Sequence, residues 1–199
     1  MPIKYFSQDK ETCGVHVDKA CGSVSLANCL HMLFPLLKTP TPLELISTCT
    51  ELELFDEGGL SPKNLYALCE KALLNMTDLT GVTVKASDNG RTEDLAKGSL
   101  MYVRSAELLN VQEKNGKRKN QEDSHESEED SHVVLVESIM RNGTIVVINP
   151  DRARKESGSG FLESQWGRMK IPPESLEKVW QSTRFDRTRT KRSAIHWVL

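Results

Sequence analysis

The stretch "DKACGSVSLANCLHMLF", from Asp18 to Phe34, decides how the rest of the chain has to be arranged. From Val24 onward its apolar residues fall on nearly every face of a helix, which is typical of a helix surrounded by protein on all sides. Pro35 ends the pattern. We therefore predict a buried helix that begins near Cys21 and lies at the centre of the domain.

The segments that follow this helix predict an α+β fold. Two more helices are expected: "PLELISTCTEL" has Pro42 in its first turn, and "SPKNLYALCEKALLNM" has Ser61 as a cap. The second half of the chain contains mostly strand candidates, among them "GSLMYVRSA", "HVVLVESIM" and "TIVVINP". This order indicates a single α+β domain over residues 1–199, with the central helix packed on an antiparallel sheet.

The composition argues against several classes of partner. The chain is 38% apolar and 27% charged with a net charge of -2, so neither nucleic acid nor a membrane surface is expected as a partner. No apolar run is long enough for membrane insertion, and the N-terminal residues lack the apolar core of a secretory signal. Five cysteines do not suggest a disulfide framework. We expect a reduced, cytoplasmic protein, while unconventional export stays open.

One segment differs from the rest in composition. Residues 110–131, "NVQEKNGKRKNQEDSHESEEDS", have almost no apolar side chains and carry two blocks of opposite charge. Such a segment buries too little surface to offset the entropy lost on ordering. We predict a disordered surface insertion, which is either a neutral linker or a docking site for a partner protein.

Cys21 occupies a position where a cysteine becomes reactive, because a helix N-terminus stabilises the thiolate. Among the histidines, His132 stands out as the first residue of an apolar strand, and an imidazole accepts a proton near neutral pH. The pair Asn142–Gly143 predicts a hairpin turn that returns Asn149 to the side of His132. An amide there can orient the ring, and Asp151, beyond the end of the strand, is the second choice.

The order cysteine, histidine, asparagine resembles the papain-like fold, and most closely the C39-like group of cysteine peptidases, the double-glycine leader peptidases and their relatives. The resemblance rests on "CGSVSLANCLHML", "GGLSPKNLYALCEKALLN", "DLAKGSLMYV" and "HVVLVESIMRNGTIVVINP", within residues 8–150. It implies a thiol protease with Cys21 as nucleophile, His132 as base and Asn149 as orienting residue. It also implies a protein or peptide substrate, no metal or organic cofactor, and a glutamine that binds the oxyanion, for which Gln8 is the candidate.

The chain departs from the family pattern at three points. C39-like members usually carry aspartate where this chain has Asn149, although papain itself uses asparagine. The separation of Cys21 and His132 is long, and the excess matches the charged insertion. Gln8 lies thirteen residues before Cys21 but five before Cys13, which is close to the family spacing. Cys13 is therefore a rival nucleophile, and Cys21 is preferred because the apolar run begins only after it.

Other interpretations of these residues stay open. The cysteines of a buried helix can be core residues without chemistry. Cys13, His16 and Cys21 suggest a metal site, but a structural zinc site needs four ligands and no fourth lies nearby. The same triad is compatible with a glutamine deamidase or an acyl or amide transferase, since the acyl-enzyme can react with water or with an amine. An inactive protease-like binding or regulatory module is the remaining alternative.

Overall fold

The computed structural model of the chain describes residues 5–88, 90–104, 107–108, 111, 131–152, 161–162, 167–180 and 192–199. Its helices are α1 (Lys10–Cys13), α2 (Cys21–Leu33), α3 (Pro42–Glu51), α4 (Pro62–Asn75) and α5 (Pro173–Val179). Its strands are β1 (Tyr5–Phe6), β2 (Thr83–Ser87), β3 (Leu100–Arg104), β4 (Ser131–Ile139), β5 (Ile145–Ile148), β6 (Phe161–Leu162), β7 (Arg168–Ile171) and β8 (Ala194–Val198). The predicted α+β class is confirmed. Except for Val111 and Ser131, the predicted insertion at 110–131 lies outside the described residues.

The helices after α2 begin where the local sequence favours a start. α3 begins at Pro42, and Thr41 before it forms a capping box with Glu44, whose carboxylate accepts the Thr41 N–H at 2.7 Å. α4 begins at Pro62 and is capped by the hydroxyl of Ser61. The predicted starts of both helices are therefore confirmed. None of the helices within the described residues combines the length and the apolar character needed to cross a lipid bilayer.

In the described part of the chain, six strands form one antiparallel sheet in the order β2–β8–β3–β4–β5–β7. β4 and β5 form the hairpin predicted at Asn142–Gly143, where Gly143 has a φ of 81° and donates its N–H to the Met140 carbonyl at 2.9 Å. Within this hairpin Leu135 lies opposite Ile148. The last residue of β5 therefore lies beside the middle of β4, and the chain beyond it continues toward the beginning of β4.

α2 is buried along most of its length and packs against β4, and it also contacts α3 and α4. Val133 and Leu135 of β4 belong to the core that contains α2. Val134 and Val136 belong to a second core on the opposite face of the sheet. This division follows from the alternation of side chains along a strand. The helix that the sequence predicted to be central does pack on the antiparallel sheet.

Candidate active site

His132 and Asn149 are bonded to each other at the open end of the β4–β5 hairpin. His132 is the second residue of β4, and Asn149 follows the last residue of β5. The distance between His132 Nε2 and Asn149 Oδ1 is 2.8 Å, and the exposed fractions of the two residues are 8% and 3%. Because an amide oxygen only accepts, Nε2 carries the hydrogen of this bond. The backbone N–H of Asp151 also donates to Oδ1, at 3.1 Å, which supports this orientation of the amide.

Cys21 contacts the same imidazole. It is the first residue of α2, with an exposed fraction of 8%, and a side-chain hydrogen bond joins it to His132. Since Nε2 faces Asn149, Nδ1 is the ring nitrogen left for the thiol. Three of the residues singled out from the sequence thus lie in one chain of hydrogen bonds.

The surroundings of His132 raise its pKa above the ordinary value of 6.5. Burial acts in the opposite direction, because removal from water disfavours the charged ring. The hydrogen bond and the charge of Cys21 outweigh this effect, with smaller contributions from the Asp151 carboxylate and from Asn149. The net effect of these groups favours the protonated imidazole.

Asp151 influences the histidine through its charge and through its backbone. It lies in the 3₁₀ segment Pro150–Arg152, and its side chain is exposed. Its carboxylate helps to raise the pKa of His132 by charge, while its N–H holds the amide oxygen of Asn149. Of the two orienting residues considered from the sequence, Asn149 is the one that contacts the ring.

The rival nucleophile, Cys13, lies in a different environment. It is the last residue of α1, and the segment that follows it is only the short 3₁₀ helix Gly14–Lys19, not an α-helix like the one that begins at Cys21. Its exposed fraction is 1%, and it belongs to a small core cluster with Ala20, Val24 and Ile46. Burial raises the pKa of the Cys13 thiol to about 11, which disfavours the thiolate. This geometry favours Cys21 over Cys13.

Gln8, the residue predicted to bind the oxyanion, lies beside Pro150, just past the end of β5. Its backbone N–H donates to the Pro150 carbonyl at 2.9 Å. Its side-chain Nε2 donates to the carbonyl of Val17 at 2.6 Å, in the 3₁₀ segment Gly14–Lys19 that precedes α2. Its Oε1 is buried and has no hydrogen-bond partner among the described residues. The segment between Gln8 and Cys21 therefore folds back, and its Val17 carbonyl holds the Gln8 side-chain amide. The second hydrogen of Gln8 Nε2 is left for another acceptor.

The remaining cysteines are structural in character. Cys29, Cys49 and Cys69 are free thiols with exposed fractions of 0%. Burial raises the pKa of each, to about 11 for Cys49. His16, considered from the sequence as a metal ligand, stacks on Phe55 with ring centroids 5.4 Å apart. Within the described residues, no group of three or more His, Cys, Asp or Glu side chains is placed to hold a metal ion.

Two buried polar residues of α2 make hydrogen bonds to neighbouring strands that were missed in the sequence. Ser25 donates its hydroxyl to the carbonyl of Val133 at 2.9 Å. Asn28 bonds both backbone groups of Phe6, accepting its N–H at 2.6 Å and donating to its carbonyl at 3.0 Å. The available signal was the presence of uncharged polar residues inside an otherwise apolar helix, since buried polar groups need partners. These bonds join α2 to β4 and to β1.

The arrangement contains the parts that nucleophilic chemistry by a cysteine needs: a thiol at a helix start, an imidazole bonded to it, and an amide that orients the imidazole. Ala20 at the N-cap of α2 makes no side-chain capping bond, so no cap side chain covers the helix start next to Cys21. No protein-family model matches the chain, and no curated protein matches its sequence.

Proposed function

We propose that this protein is a cysteine-nucleophile hydrolase acting on peptide or amide bonds, and specifically a thiol protease of papain-like type. The observation that carries the proposal is the chain of hydrogen bonds from Cys21 through His132 to Asn149. The raised pKa of His132 adds support, since a base that holds the thiol proton must favour its protonated form.

In the proposed reaction, Cys21 Sγ attacks the carbonyl carbon of the scissile bond while His132 holds the thiol proton. The S–C bond forms and the carbonyl becomes an oxyanion. His132 then gives its proton to the leaving amine, which breaks the C–N bond and leaves a thioester on Cys21. Water, deprotonated by His132, hydrolyses the thioester and restores the thiol. Asn149 holds the ring in one orientation throughout.

The oxyanion in this mechanism is bound by two N–H donors. One is the backbone N–H of Cys21 at the positive end of α2. The other is the second hydrogen of Gln8 Nε2, whose first hydrogen is held by the Val17 carbonyl. Donors that are already oriented do not have to reorganise during the reaction, which is why they stabilise developing charge.

The layout of the elements supports the papain-like assignment. A buried helix opens with the cysteine and packs on an antiparallel sheet, and the histidine and asparagine lie at the open end of one hairpin of that sheet. In the order of its motifs the chain resembles the C39-like peptidases. A protein or peptide is the proposed substrate.

Alkylation of the native protein tests the nucleophile. Iodoacetamide at pH 6, followed by peptide mapping, is expected to label Cys21, because its thiol is paired with His132 and its exposed fraction of 8% exceeds the 0–1% of the other four cysteines. Cys21→Ala should abolish the labelling, and Cys13→Ala should leave it intact. Labelling that survives Cys21→Ala and disappears in Cys13→Ala would refute the assignment of the nucleophile.

The second candidate, an inactive protease-like binding module, is favoured by one observation. The Gln8 amide nitrogen already bonds to Val17, and its oxygen is buried without a partner among the described residues. Incubation with a proteome, with Cys21→Ala as the control, separates the possibilities. New N-termini that require Cys21 indicate a protease, and gains of one dalton on glutamine indicate the alternative deamidase. An acyl group moved to an amine indicates a transferase, and no change of any kind indicates the binding module.

A further inference from the structure

Two serines of α2 are equally buried but point to different partners. Ser23 and Ser25 both have exposed fractions of 0%. The Ser23 hydroxyl lies 3.6 Å from the thiol of Cys49 on α3. The Ser25 hydroxyl donates to the carbonyl of Val133 on β4 at 2.9 Å. Only the second contact joins α2 to the strand that carries His132.

The carbonyl of Val133 lies where the sheet offers it no N–H donor on the β3 side. Val133 lies opposite Tyr102 of β3, and the Tyr102 N–H donates in the other direction, to the Ser193 carbonyl at 3.0 Å. Backbone groups alternate in direction along an antiparallel pair. The polar backbone groups of Val133 therefore point away from β3, toward the side of β5.

On the β5 side the ladder has already ended. The pairing of β4 with β5 ends at Leu135 and Ile148, so it does not reach Val133. Two residues beyond Ile148 the chain turns into the 3₁₀ segment Pro150–Arg152, whose first residue, a proline, has no backbone N–H to donate. A buried carbonyl without a donor is costly. The Ser25 hydroxyl takes the place of the missing strand donor.

This bond connects the helix and the strand at the reacting pair itself. Cys21 and Ser25 are four residues apart on α2, so they lie on the same face of the helix. His132 and Val133 are consecutive in β4. A hydrogen bond between Ser25 and Val133 therefore limits how far α2 slides or rotates against β4, and with it the separation of Cys21 from His132.

We propose that Ser25 is a positioning residue that sets the distance between the thiol of Cys21 and the imidazole of His132. The role rests on the proposed function, in which these two groups form the reacting pair. Ser25 does not touch the substrate. It acts by holding the start of α2 in register with the first residues of β4.

The test compares Ser25→Ala with Ser23→Ala in the full-length protein. Each change removes one buried hydroxyl from the same helix, and Ser25→Ala should lower the midpoint of thermal unfolding more, because it leaves the Val133 carbonyl without a donor whereas Ser23 contacts only a thiol. Stability alone therefore does not decide the positioning role. The deciding measurement is the pH dependence of iodoacetamide alkylation at Cys21 between pH 4.5 and 9. Ser25→Ala should slow alkylation at pH 6 by about tenfold, since small displacements of reacting groups cost large factors in rate. Ser23→Ala should leave the profile unchanged, and Ser25→Thr, which keeps the hydroxyl, should restore much of the rate.

Two outcomes would overturn the inference in different ways. If His132→Gln does not reduce the alkylation of Cys21 at pH 6 below that of the parental protein, the reacting pair does not exist and the proposed function fails with it. If the parental protein shows that reactivity but Ser25→Ala and Ser23→Ala give the same pH profile, the proposed function stands and the positioning role of Ser25 is refuted.

Discussion

Replacing Asn149 tests the hydrogen-bond chain at its most buried member. Its Oδ1 accepts from His132 Nε2 at 2.8 Å and from the Asp151 N–H at 3.1 Å, and Asn149→Ala removes this acceptor from both donors. At about 1 kcal/mol for each hydrogen bond, the free energy of unfolding should fall by about 2 kcal/mol. In a chain of this length that loss lowers the melting temperature by about 4–8 °C. Thermal unfolding followed by circular dichroism measures it.

The same change should also slow the chemistry. A hydrogen bond to a charged group contributes about 1.5–3 kcal/mol, and each 1.36 kcal/mol is a factor of about ten in rate. Asn149→Ala should therefore reduce the alkylation rate of Cys21 at pH 6 by roughly one to two powers of ten. Some reactivity should remain, because Cys21 and His132 are still present.

Two matched variants show whether the amide or the nearby charge is responsible. Asn149→Asp keeps an acceptor at the ring and adds a negative charge that favours the imidazolium, so alkylation at pH 6 should be retained. Asp151→Ala removes a carboxylate that acts on His132 by charge and keeps the backbone N–H. Its effect should be smaller than that of Asn149→Ala. A larger loss for Asp151→Ala than for Asn149→Ala would refute this reasoning and make Asp151 the orienting residue.

Two further predictions concern stability away from the reacting pair. Burial raises the pKa of Glu137, but the hydrogen bonds from Arg168 and Tyr5 together with the charges of Arg168 and Lys97 outweigh it, so the net pKa is lowered from 4.5. The stabilisation is present above pH 4.5 and is lost as pH falls through the lowered value. The midpoint of thermal unfolding of Glu137→Gln should thus be lower than that of the parental protein at pH 7, and the two midpoints should converge near pH 3. Gly98→Ala should cost more stability than Gly81→Ala in urea unfolding, because both glycines have positive φ but only at Gly98 does the added Cβ meet Leu33, at 2.9 Å. Equal losses would show that Leu33 moves aside.

Local sequence determined the elements and one of the two contacts within the candidate site. Proline and cap residues marked the starts of α3 and α4, and continuous apolar character marked α2 as buried, because these signals act within one turn of a helix. The proximity of His132 and Asn149 also followed from the sequence. A recognisable hairpin turn predicts that the end of β5 returns alongside β4, although the register of the two strands shifts between Val136 and Ser138, which the turn does not predict.

Tertiary structure alone decided which side chains meet across elements that are distant in sequence. The apolar pattern of α2 showed that the helix is buried, but it contained no information on which strand it covers or at what height. The contact of Cys21 with His132 and the bond from Ser25 to Val133 depend on that docking. The hydrogen bond from the Gln8 amide to the Val17 carbonyl also depends on tertiary structure, since the segment between the two residues has no periodic pattern. Periodicity specifies a face of an element, whereas a contact between faces is settled only when the whole core packs.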